Sequence, residues 1–69
     1  MRMTKEQRIY QTAHKFFTEN NYIEEIKKIS KKESVSVRKI LIELYPELPK
    51  IERNVIKSSA EKIAKKIKS

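Results

Sequence analysis

Ser36, Arg38 and Lys39 bring a hydroxyl, a guanidinium and an ammonium group within four positions of one another. Arginine pairs in bidentate fashion with guanine O6 and N7, and serine or lysine can reach the same base edges. Ile42, one helical turn beyond Arg38, adds an apolar group of the kind that meets a thymine methyl. Further phosphate donors flank this group: Lys27, Lys28, Lys31, Lys32 and Ser34 before it, Tyr45 after it, and Lys62, Lys65 and Lys66 toward the end. Contacts to phosphate add affinity and fix register without reading sequence. The chemistry these residues predict is noncovalent recognition of a polyanion, with base contacts from Ser36, Arg38, Lys39 and Ile42.

Composition excludes most alternatives. The chain has no Cys, no Gly and a single His, and all nine of its acidic residues are Glu. A nucleophile with its base, a thiolate metal site and a glycine-rich phosphate loop are therefore not expected, so the sequence predicts no enzyme, cofactor, metal or small-molecule ligand. His14 lies at the flank of an apolar stripe with no companion ligand. Tyr10, Tyr22 and Tyr45 are too dispersed to form a stacking platform for single strands. The net charge is +8 over 69 residues. Residues 1–22 carry +2, residues 23–45 carry +2 and residues 46–69 carry +4, a spread unlike that of a basic tail on a neutral body. No run of about 18 apolar residues is present and the start lacks a signal-type hydrophobic stretch. The expectation is a soluble, cytoplasmic, nucleoid-associated protein without a membrane partner.

The elements that must position these groups are helical. Apolar residues recur at three- and four-residue steps and no strand-type alternation competes, so the prediction is an all-α, four-helix domain over residues 1–69, with helices at about 5–19, 23–32, 36–44 and 50–67. Thr4 and Gln7 form a capping-box pair ahead of Ile9, Ala13, Phe16 and Phe17, and Asn20 and Asn21 close that helix. The second helix has Glu24 and Glu25 in its first turn and its lysines later, an order that suits the helix dipole and permits a Glu24 to Lys28 pair. In the third, Val37, Ile40, Leu41 and Leu44 face inward, and Pro46 and Pro49 enclose the connection that follows. The fourth is basic, with an apolar stripe of Ile56, Ala60, Ile63 and Ile67 widened by Ile51 and Val55. Ile67 could instead make a dimer contact.

Between the second and third helices, Ile29, Ser30, Val35 and Ile40 have the spacing of two helices packed across a short turn. Together with Tyr22, Ser34 and Ser36, and with Ala13, Phe16 and Phe17 before them, these residues resemble the N-terminal DNA-binding domain of TetR-type repressors. From Phe16 to Ile63 the chain is also similar to the small stage III sporulation protein D type of regulator, through Val35, Ser36, Ile40, Leu44, Leu48, Pro49 and Ile51. Both resemblances imply a helix-turn-helix whose third helix enters the major groove, and the second implies a basic last helix that makes another DNA contact. Two positions depart from the pattern. Glu33 stands where these families prefer an apolar residue, and Ser34 replaces the turn glycine, so it must take an unfavourable backbone conformation or change the turn.

The function predicted is sequence-specific binding of double-stranded DNA by a small transcriptional regulator, with a homodimer or a protein partner as a further expectation. Two alternatives stand beside it: a helical adaptor or inhibitor that binds another protein through Ile42, and a nonspecific nucleic-acid-associated protein.

Overall fold

A computed structural model describes residues 2–68. Four α-helices follow in order, α1 (Lys5–Glu19), α2 (Ile23–Glu33), α3 (Val37–Leu44) and α4 (Arg53–Lys68), with a 3₁₀ turn at Tyr45–Glu47 between the last two. Among the described residues there is no strand.

Local chemistry sets the helix ends. The Gln7 backbone N–H donates to Thr4 Oγ1 at 3.1 Å and the Thr4 N–H donates to Gln7 Oε1 at 3.0 Å, which satisfies two of the donors that a helix start leaves unpaired. At the other end of α1, Asn21 is left-handed with φ 63°. The N–H groups of Asn21 and Tyr22 then donate to the carbonyls of Thr18 and Phe17 at 3.1 and 2.7 Å, the paired bonds of a Schellman motif.

The same motif closes α2 around Ser34, at φ 55° and ψ 42°. Here Ser34 and Val35 donate to the carbonyls of Lys31 and Ser30 at 3.4 and 3.0 Å. The Ser30 hydroxyl also donates to the Val35 carbonyl, tying the turn from inside. Of the two alternatives left for Ser34, the chain takes the unfavourable conformation. A left-handed residue with a Cβ costs about 1 kcal/mol or more, and glycine avoids this at some cost in unfolded-state entropy. Ser34→Gly is therefore expected to stabilise the protein by about 0.5–1 kcal/mol, and Ser34→Val to destabilise it. Urea unfolding midpoints check both, and an unchanged midpoint for the glycine variant would contradict the strain.

The core is built from Ala13, Phe17, Ile26, Ile29, Val35, Ile40, Leu41, Leu44, Leu48, Ile56, Ala60 and Ala64. Burying a side chain the size of leucine or phenylalanine contributes about 1.5–3 kcal/mol. The central helix is α3, which packs against α1, α2 and α4, whereas α1 and α4 make no close backbone approach to each other among the described residues.

Several sequence expectations shift. In α1 the residue that joins Ala13, Phe16 and Phe17 against the core is Tyr10, not Ile9, which is half-buried outside the cluster. Val37 is half-buried rather than enclosed. The first ordered turn of α4 begins at Arg53 and not near Lys50, because the chain after Pro49 is held in a turn by the Lys50 N–H donating to the Glu47 carbonyl at 3.0 Å. The Glu52 carbonyl then accepts from Val55 and Ile56 at 2.9 and 3.1 Å and starts the helix. The stripe of α4 facing the core is Ile56, Ala60 and Ala64. Ile51, Ile63 and Ile67 are half-buried at its margin, and Val55 is 44% exposed. Glu33 is buried. No buried side-chain polar atom lacks a partner among the described residues, so the Glu33 stem fills space while its carboxylate reaches solvent.

Candidate nucleic-acid interface

Ser36 is the N-cap residue of α3, extended at φ −62° and ψ 135°, and its hydroxyl makes no capping bond. It is exposed, as are Arg38 and Lys39 on the next turn. α3 has eight residues and so rises about 12 Å. Ser34 and Ser36 stand at one end of it, and Tyr45, exposed on the 3₁₀ turn, at the other.

Arg38 is engaged by α1. Its Nη2 lies 3.4 Å from Glu6 Oε1, and its guanidinium carbon lies 5.7 Å from the centre of the Tyr10 ring, within the range of a cation–π contact. The Tyr10 ring in turn leans on His14 at 5.7 Å, and His14 Nδ1 is 3.5 Å from the Thr18 hydroxyl. Helical spacing within α3 gives no sign of these partners, since they depend on how α1 crosses it.

Ile42 is half-buried rather than projecting. It shares a groove with Glu6, Lys39, Glu43 and Ile67, along α3 between residues of α1 and α4. Glu43 is four residues beyond Lys39, so its presence on this face was readable from spacing. With Glu6 and Glu43 beside Arg38 and Lys39, the outer face of α3 carries no net charge.

The charge excess lies elsewhere. Helices α1, α2 and α3 each net one positive charge, while α4 has six basic residues against Glu61 alone. Lys62, Lys65 and Lys66 are exposed on α4, away from its buried stripe. Lys27, Lys28, Lys31 and Lys32 are exposed on α2. Lys28 and Lys57 line a shallow cleft with Glu25 and Ile29 where α2 meets α4. Among the described residues Glu24 and Lys28 form no ion pair, and a long-range pair joins Glu6 to Arg38. No described helix is long and apolar enough to cross a membrane.

The molecule is thus all-helical over the described residues, with polar groups at the N-terminal end of α3 and most of the net positive charge on α4. Comparison with protein-family models, curated proteins and solved structures returns no match for the chain.

Proposed function

We propose that this protein binds double-stranded DNA as a small helix-turn-helix regulator, with α3 as the recognition helix. The observation that carries the proposal is the solvent exposure of the N-terminal end of α3. There Ser36, Arg38 and Lys39 are all exposed directly after a turn fixed by Ser34 and Ser30, which is where such helices present side chains to base edges. Because the outer face of α3 is neutral, affinity comes mainly from the lysines of α4 and α2 on phosphate, and α3 supplies the discrimination.

The test is a titration of labelled duplexes over a salt series, comparing a duplex enriched from a random pool with its scrambled counterpart. The enriched duplex should keep its advantage as salt rises while both weaken. Arg38→Ala should cost about 1–3 kcal/mol on the enriched duplex and far less on the scrambled one. Equal losses on both would remove Arg38 from a reading role, and no binding to any duplex at low salt would overturn the proposal.

One observation favours a second reading, a protein partner. Ile42 and Ile67 give the groove an apolar floor, and Glu6, Lys39 and Glu43 give it a rim of mixed charge, the composition of a modest protein-docking surface. A protein that binds no DNA while losing a partner on Ile42→Glu substitution would establish that reading instead.

A further inference from the structure

We infer that Glu6 and Tyr10 of α1 are positioning residues that set the specificity of Arg38, an inference that rests on the proposed DNA-binding role of α3. Glu6 and Tyr10 are four residues apart on α1 and so share one helix face. From that face they contact the Arg38 guanidinium in two different ways. Glu6 Oε1 meets Nη2 at 3.4 Å, and the guanidinium carbon lies over the Tyr10 ring, 5.7 Å from its centre. A guanidinium has five N–H donors in a rigid planar fork. The single-oxygen contact with Glu6 engages one nitrogen, and the ring gives the cation a second anchor. The Arg38 side chain remains 45% exposed, so donors are left for a ligand while two contacts from α1 narrow the positions the guanidinium samples.

Bidentate pairing with guanine demands one orientation of the fork, whereas a phosphate accepts a donor from many directions. Narrowing its positions in advance lowers the ordering cost of the specific contact alone. The Glu6 carboxylate has the opposite effect on phosphate, which it repels. One residue thereby favours the matched duplex and disfavours all others, and this opposition of sign separates positioning from a general contribution to folding.

Duplex titrations of the full chain with E6Q, R38A and the double variant test this, on the enriched and the scrambled duplex. E6Q should weaken binding to the enriched duplex by about two- to fivefold, the range an exposed ion pair commands, and leave the scrambled duplex unchanged or bound more tightly. In the R38A background the E6Q loss on the enriched duplex should vanish, because Glu6 acts through Arg38. Tyr10→Phe should keep the wild-type preference and Tyr10→Leu should reduce it. Tighter binding of E6Q to both duplexes would make Glu6 a competitor and overturn the inference, as would no change, or a loss that persists without Arg38. If the wild-type chain binds no duplex at low salt, the DNA-binding reading falls first and the inference with it, whereas wild-type binding with an inert E6Q overturns the inference alone.

Discussion

Phe17→Ala is expected to leave the chain largely unfolded at room temperature. Phe17 is fully buried and packs its ring against Phe16 at 5.4 Å, edge to face, and against Tyr22 at 6.3 Å. Truncating a buried phenylalanine costs about 3–5 kcal/mol through lost transfer energy and the cavity left behind. A chain of 69 residues has a total stability of about the same size, so the one substitution cancels it. The cavity would also open between α1 and the start of α2, where Tyr22 donates its N–H to the Phe17 carbonyl, so the helix junction loses its packing with its core. Far-UV circular dichroism and urea titration check this against Val55→Ala, at an exposed position, which should move stability by no more than about 0.5 kcal/mol. A cooperative Phe17→Ala transition close to wild type would mean that α1 is dispensable to the core.

The contrast between Phe17 and Val55 marks what periodicity can convey. Three- and four-residue spacing placed four helices and most of the core, and the Thr4–Gln7 pair and Asn20–Asn21 marked the ends of α1, because these signals depend on residues one turn apart. The expected stripe puts Val55 at the edge of the apolar face of α4 and leaves Ala64 out of it. The large residues Ile63 and Ile67 draw that stripe to one side, whereas the helix turns the line Ile56, Ala60 and Ala64, at strict four-residue steps, toward the core. Ala64 is also a weak hydrophobic signal that becomes fully buried because its small side chain suits a close approach to the core. At Ser34 the sequence left two outcomes open, an unfavourable backbone or a changed turn, and the chain takes the left-handed conformation.

For the candidate site, residue types were legible and their partners were not. The exposure of Ser36, Arg38 and Lys39 follows from the inward face of α3, which Ile40, Leu41 and Leu44 define. That Arg38 is held from α1, and that Ile42 lies in a groove with Ile67, depends on crossings between helices far apart in sequence. These contacts alter the electrostatic picture as well. The excess charge on the last helix was legible from residue counts, whereas the neutrality of the α3 face was not, because it depends on Glu6 reaching Arg38 from α1.

If the protein binds DNA as proposed, replacing Lys62, Lys65 and Lys66 together by Gln is expected to produce a large loss of affinity without unfolding the protein. All three are exposed on α4, the helix with the greatest excess of charge. Each lysine that neutralises a phosphate releases a counterion, so losing three should reduce the slope of log K against log salt by about 2–3. At about 50 mM salt that corresponds to a loss of roughly a hundredfold or more, shrinking as salt rises. Glutamine has nearly the helix propensity of lysine, so α4 should persist apart from a few tenths of a kcal/mol of lost dipole interaction per charge. The loss should fall equally on the enriched and scrambled duplexes, which sets it apart from Arg38→Ala, where discrimination falls and the slope changes by at most about 1. A triple variant with an unaltered slope would place the phosphate contacts on α2, through Lys27, Lys28, Lys31 and Lys32, and would leave the charge of α4 to serve solubility.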